Sequence, residues 1–413
     1  MFVNSNKIIR LLVAVACILI GAYYSIGALG DTYHFNPLYP YTMVSILILS
    51  LIFNQGKTKS LVKGIIPFIV FIAYGALTLG WTQTYEYGYT KIINLFALNI
   101  FFIGSAKFIV KDFYRFNLYL VLGLCLCIIL LYIGVGSPGK VLAHLAVEGR
   151  FGGQDSVGII GIARFLGFAN LCICYLFIKT KSNFKKGILV TIFILSSVYM
   201  FFSGTRGAIY GFVLAFIFIL YFSTNSAKKR WKNGLGILSV SLFLLFFFDN
   251  IASDVLNNFV TSRINSESGS IRIMIFVSTI EAYMGLNLFS FIFGAGSGSA
   301  SKVVMESIGK VSVLGYQRLY PHNIILEVLY EYGIIGLILF YKVCISPFLL
   351  NLRELKANST TIYLTSFWIF WFFNSLVSSD IMGNFLLFGI SIVLMVNYYS
   401  KDKLLMSSNI KTY

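Results

Sequence analysis

Residues 321–343 read PHNIILEVLYEYGIIGLILFYKV. A polar triplet, Pro321-His322-Asn323, opens onto an apolar run long enough, at about 1.5 Å per residue, to cross the roughly 30 Å hydrocarbon core of a bilayer. One of only three histidines in the chain therefore stands where a polar loop meets a spanning helix. Outward from this stretch the character persists. The 413 residues are 58% hydrophobic, 17% aromatic and 11% charged, with a mean hydropathy of +0.84. So little polar surface excludes a soluble domain and predicts an all-α polytopic membrane protein, a single integral membrane domain over residues 1–413.

Apolar runs predict spans near 8–29, 38–54, 62–80, 90–106, 117–136, 157–178, 187–203, 206–222, 234–250, 323–348, 360–378 and 381–399, about 12 transmembrane helices. The first run is longer than a signal-peptide core and lacks a small-residue cleavage site before Asp31, so it is expected to remain as a span. The formal charge of +17 would suggest nucleic acid in a soluble protein, but here the basic residues fall in clusters between spans. Lys7 and Arg10; Lys57, Lys59 and Lys63; Lys107, Lys111 and Arg115; Lys179, Lys181, Lys185 and Lys186; Lys228, Lys229, Arg230 and Lys232; Arg353 and Lys356; and Lys401, Lys403 and Lys411 occupy alternate loops. Because such residues are retained on the cytoplasmic side, both termini are expected there, and no nucleic-acid partner is expected. Lys91, Lys140, Arg150, Arg164, Arg206, Arg263, Arg272, Lys302, Lys310 and Arg318 then fall in the outer half. The six cysteines all sit in apolar runs and read as small hydrophobes without a disulfide or metal framework.

One outer loop, residues 251–322 between the ninth and tenth spans, is far longer than the rest, as functional loops often are. Its apolar part, IRIMIFVSTIEAYMGLNLFSFIF at 271–293, would reverse the basic-loop alternation if it crossed the membrane. It is expected as helices lying at the outer surface or dipping partly in. No internal repeat, low-complexity linker or second soluble domain stands out.

Four basic or titratable residues carry the chemistry. Arg164, in GIIGIARFLGFANL, lies about two turns inside the sixth span and needs a partner, such as Asp155 or Asp380, a route to the surface, or a ligand. Arg206, in FFSGTRGAIYG, sits on a tight outer hairpin, and Arg272, in SGSIRIMIF, on the long loop. Each is either an interfacial charge or a diphosphate ligand, since guanidinium forks bind diphosphate in two-point contact and stay charged. His322 can exchange a proton near neutral pH, whereas His34 and His144, in shorter outer loops, read as ordinary loop residues. Asn323 is placed to cap the helix. Glu327 and Glu331, four apart on one face, would orient His322 or pair with arginines. FGAGSGSA at 293–300 lacks the Gly-Lys-Ser/Thr ending of a phosphate loop and reads as a flexible turn. Carboxylate and histidine clusters of metal-site type are missing from the sequence, so neither a metal nor another cofactor is expected.

Together these residues resemble the O-antigen ligase and polymerase superfamily. His322-Asn323, nine residues, then Gly333-Ile334-Ile335-Gly336 matches its His-Asn-x9-Gly-x-x-Gly pattern. Ser203-Gly-Thr-Arg206-Gly-Ala resembles its arginine-bearing hairpin, Arg272 its second arginine and Gly294-Ala-Gly296 its upstream glycine pair, over about residues 195–345. The resemblance implies a membrane-type (GT-C-like), inverting, metal-independent glycosyltransferase of the bacterial inner membrane. It would act at the outer face on a glycan carried by undecaprenyl pyrophosphate, as donor and, in a polymerase, as acceptor, with a chain-length regulator protein as partner. Arg206 and Arg272 would hold the donor pyrophosphate and His322 would activate or orient the acceptor hydroxyl. Arg164, Arg318, Asn323 and Glu327 would contact phosphate or glycan, and Asp380 would serve as an alternative base or an arginine partner. Polymerisation of repeat units is favoured over ligation of finished glycan to lipid A core by analogy alone. The competing class is a lipid-linked glycan flippase. Such carriers often join two six-span halves by a long cytoplasmic loop, whereas here the long loop is outside and after the ninth span.

Overall fold

The computed structural model describes residues 5–29, 59–135, 158–203, 205–223, 268–308, 319–355 and 359–409. Among them every regular element is helical: α1 (Ser5–Leu29), α2 (Lys59–Leu77), α3 (Tyr85–Lys111), α4 (Phe113–Val135), α5 (Gly158–Lys179), α6 (Asn183–Phe202), α7 (Arg206–Ser223), α8 (Ser268–Met284), α9 (Leu288–Phe293), α10 (Ala300–Ser307), α11 (Ile324–Phe340), α12 (Ser346–Leu352), α13 (Ser359–Val377) and α14 (Phe385–Asn409). Nine helical runs among these residues are long and apolar enough to cross a membrane, each overlying an expected span. The chain is thus a polytopic all-helical membrane protein. The spans expected near 38–54 and 234–250 lie outside the described residues, as do His34, His144, Asp155 and Arg318.

Two compact units divide the chain. The first comprises Met1–Tyr39, Asp112–Ser266 and Leu355–Phe370, the second Pro40–Lys111, Glu267–Glu354 and Trp371–Tyr413. In the first unit α1 packs on α4 and α5, and α5 in turn on α6 and α7. Helices in lipid gain little from apolar burial against one another, so close contact of small residues and polar links decide the packing. At Gly123 a Cβ would stand 2.5 Å from the Cys17 carbonyl, so the glycine lets α4 lie directly on the α1 backbone. Asn170 on α5 accepts from the Ser196 hydroxyl and donates to Ser197 Oγ at 3.2 Å, joining α5 to α6. Phe113, Tyr175, Phe367 and Tyr363 fill the interior edge to face or tilted. All six cysteines are free and buried or half-buried.

The second unit sets α14 against α2 and α3, and α8, α9 and α10 against α11 or one another. The run from α11 to α12 passes through a widened π turn, Tyr341–Ile345, just before Pro347. A proline there has no N–H for the preceding turn, and widening the turn takes its ring away from the carbonyl it would strike. Asn351 Nδ2 bonds the Leu394 carbonyl at 3.0 Å and Asn351 Oδ1 accepts from Asn397 Nδ2 at 2.9 Å, a polar link from α12 to α14. The apolar stretch 271–293 is the 17-residue α8, a turn, and the short α9.

Candidate active site

The start of α11 is built by its own side chains. Asn323 Oδ1 accepts from Ile325 N at 3.0 Å and Leu326 N at 3.1 Å, the cap its position predicts. Its Nδ2 donates to the Leu376 carbonyl at 3.2 Å, fastening the helix start to the end of α13. His322 precedes this cap with φ 58°, half-buried, its ring set edge-on to Tyr320 at 4.5 Å.

Ten residues further on, α11 breaks. Gly333 takes φ 63° and ψ −162°, a conformation open essentially to glycine alone. In an unbroken helix the Tyr330 and Glu331 carbonyls would accept from residues 334 and 335. Here they accept instead from Ala295 N at 2.9 Å and Gly296 N at 3.0 Å. The FGAGSGSA stretch is therefore not a flexible turn: Gly294 and Gly296–Ala300 are buried, docked backbone to backbone on the broken helix. A Cβ on Gly294 would overlap the Glu331 carbonyl, so close approach, with φ 87°, requires glycine there. Tyr74 donates to the Phe293 carbonyl at 2.8 Å and Trp81 Nε1 to the Gly294 carbonyl at 3.0 Å, holding the docked loop from α2 and its following turn.

Glu327 and Glu331 share one partner, and it is not an arginine. Lys91 Nζ, on α3, lies 2.6 Å from an oxygen of each, and all three side chains are essentially inaccessible to solvent, at 1%, 0% and 0%. Tyr87, one turn earlier, offers its ring to Lys91 at 4.8 Å and donates its hydroxyl to Asp380 at 3.0 Å. The second oxygen of Glu327 accepts from Ile381 N at 2.9 Å, and Asp380 accepts from Gly383 N at 2.7 Å. Asp380, expected as a base or an arginine partner, is buried, and its carboxylate accepts from Gly383 N inside the short turn Met382–Asn384. Lys91 was legible only as one of several outer-half charges. The apolar run that predicts this span starts at residue 90 and sets Lys91 at its edge, whereas α3 starts at Tyr85 and carries Lys91 about two turns inside, facing two carboxylates of α11.

The remaining expected residues fall as follows. His322, Asn323, Glu327, Asp380 and Arg272 belong to the second unit, and Arg272 is exposed on α8. Arg164 and Arg206 belong to the first. Arg164 is buried within α5, and Arg206 is the exposed first residue of α7, after a turn in which Thr205 N bonds Ser203 Oγ at 3.2 Å. Arg318 lies outside the described residues.

Compared with known proteins, residues 191–341 match the family model described as O-Antigen ligase. The matched segment contains Arg206, Arg272, Gly294, His322, Glu327, Glu331, Gly333 and Gly336. No curated protein matches the chain.

Proposed function

From the match of residues 191–341 to the family model described as O-Antigen ligase, we propose that the protein polymerises lipid-linked oligosaccharide repeat units into O-antigen or a related surface polysaccharide. The donor is a glycan on undecaprenyl pyrophosphate at the outer face of the bacterial inner membrane, with both termini of the chain cytoplasmic. The carrying observation is that the matched segment places a histidine immediately before the Asn323 cap of α11, with Arg206 exposed as the first residue of α7 and Arg272 exposed in the second turn of α8.

The acceptor hydroxyl attacks the anomeric carbon of the donor sugar, forming the new glycosidic bond. The bond from that carbon to the phosphate oxygen breaks, and its electron pair leaves with undecaprenyl pyrophosphate. The hydroxyl proton passes to His322. Negative charge grows on the diphosphate as the bond opens, so the guanidinium groups of Arg206 and Arg272 stabilise the transition state more than the ground state. Attack from the face opposite the leaving group inverts the anomeric configuration, and the arginines supply the charge a metal would otherwise provide.

Ligation of finished glycan to lipid A core is the second reading, favoured by the family description itself. A gel of surface and lipid-linked glycan from a deletion strain of a Gram-negative host, with and without a plasmid copy, separates the two. A single repeat unit on lipid A core is expected. Bare core with long glycan accumulating on the lipid carrier would make the protein a ligase. Donor trapped on the cytoplasmic face would overturn both in favour of a flippase.

A further inference from the structure

Among the described residues only His322 and Ser379 hold positive φ without being glycine, at 58° and 67°. Such backbone persists only where its surroundings over-determine it, and it gathers at functional sites. The two lie on the two loops that one buried network cross-links. Asn323, next to His322, bonds the Leu376 carbonyl, and Glu327, one turn into α11, bonds Ile381 N, two residues from Ser379. The free end of that second link is held by Lys91 from α3 at 2.6 Å, and Tyr87 of the same helix reaches Asp380 between them.

Resting on the transfer reading above, we propose that Lys91 and Glu327 are positioning residues for His322. Together they pin the first turn of α11 to the loop at 378–384, and so fix the backbone from which the imidazole projects. A buried ion pair is a poor way to gain stability, since apolar replacements of equal volume often do as well or better. Three ionisable side chains inside helices of spanning length instead point to a geometry that must be held. The atoms distinguish the two carboxylates. Glu327 uses both oxygens, one on Lys91 and one on Ile381 N, whereas Glu331 uses one on Lys91 and its other oxygen has no hydrogen-bond partner among the described residues.

Two amide substitutions exploit that difference. Glu327→Gln and Glu331→Gln each remove one formal negative charge and leave Lys91 one carboxylate, so both retain a counter-charge for insertion. Gln at 327 has a single acceptor oxygen and cannot serve both Lys91 and Ile381 N. Gln at 331 keeps its oxygen on Lys91 and places its amide nitrogen where no bond is lost. Transfer is measured on purified full-length protein in detergent with lipid-linked donor, per folded molecule. Glu327→Gln is expected to lower kcat at least ten-fold with the donor KM within two-fold, and Glu331→Gln to cost clearly less. Because a positioning residue acts through the group it positions, His322→Ala combined with Glu327→Gln is expected to be no slower than His322→Ala alone. Equal losses from the two amides, or a double variant slower by the product of the single losses, overturn the proposal and leave the cluster a matter of fold. Full activity of His322→Ala would instead remove the transfer reading on which the proposal stands.

Discussion

On the proposed transfer reaction, the role of His322 as acceptor of the hydroxyl proton has a definite size. General bases contribute typically about 10²- to 10⁴-fold, so His322→Ala is expected to reduce transfer by that factor while the protein stays inserted and as abundant as before. A complementation gel alongside an immunoblot reads both quantities, and normal glycan from this variant removes His322 from the chemistry. Arg272 is exposed, so its substitution costs the fold little. If it grips a diphosphate, Arg272→Lys keeps the charge but loses the fork, and transfer is expected to fall well below half on the same gel. Unchanged glycan would make it an ordinary surface charge of α8. These residues could be picked out of the sequence because each is chemically out of place: an imidazole at a helix mouth, guanidinium groups at boundaries. Lys91 could not, because its two partners lie 236 and 240 residues away. Periodicity reports which face of a helix a residue occupies and says nothing of what another helix brings to it. Glu327 and Glu331 read from the sequence as a pair that would orient His322 or meet arginines, and that their shared partner is instead a lysine is a matter of tertiary packing.

At the level of elements, the same gap separates composition from docking. FGAGSGSA reads as mobile because glycines and serines abound in turns, yet its backbone is consumed by carbonyls that the break at Gly333 sets free. Nothing local to residues 293–300 announces this, since the acceptors belong to α11. Spans, by contrast, are local statements about hydropathy and length: nine expected runs reappear as helical runs long and apolar enough to cross, and α1 lies over a tenth, the run at 8–29. Glycine substitutions test the docking directly. Gly333→Ala must either hold a conformation costing about 1–3 kcal/mol for a residue with a Cβ or re-form the helix and evict the docked loop. Gly294→Ala meets the Glu331 carbonyl. Both are expected to lower the apparent melting temperature of detergent-solubilised protein, and with it the yield. Gly187 on α6 has no atom within 4 Å of where a Cβ would go. Gly187→Ala is therefore expected to be neutral or to stabilise by about 0.5–1 kcal/mol, as alanine does in helix interiors. Equal behaviour of the three would mean that the loop does not depend on close approach.

For the molecule as a whole, the decisive question is which side of the membrane His322 faces, and the chain offers a ruler for it. α6 has 20 residues, enough at about 1.5 Å each to cross a roughly 30 Å core. Ser182 stands before it among Lys179, Lys181, Lys185 and Lys186, and Thr205 after it beside Arg206. Basic residues are held inside, so Ser182 is expected in the cytoplasm and Thr205 outside. From Thr205 to His322 the count rests on α7, the expected span near 234–250, and α8. The last has 17 residues, about 26 Å of helix by the same rise, short of a full crossing without tilt or thinning. If α8 does not cross, α10 and His322 share the side of Thr205; if it does, they lie opposite, where no polymerised surface glycan is made. Single cysteines in a cysteine-free background decide this by labelling whole cells with a membrane-impermeant maleimide. Thr205→Cys and Glu306→Cys, the latter exposed on α10, are expected to label from outside, and Ser182→Cys only after permeabilisation. Labelling of Thr205→Cys without Glu306→Cys would show that α8 spans and would place His322 inside, ending the case for an outer-face transferase however well its arginines suit a diphosphate.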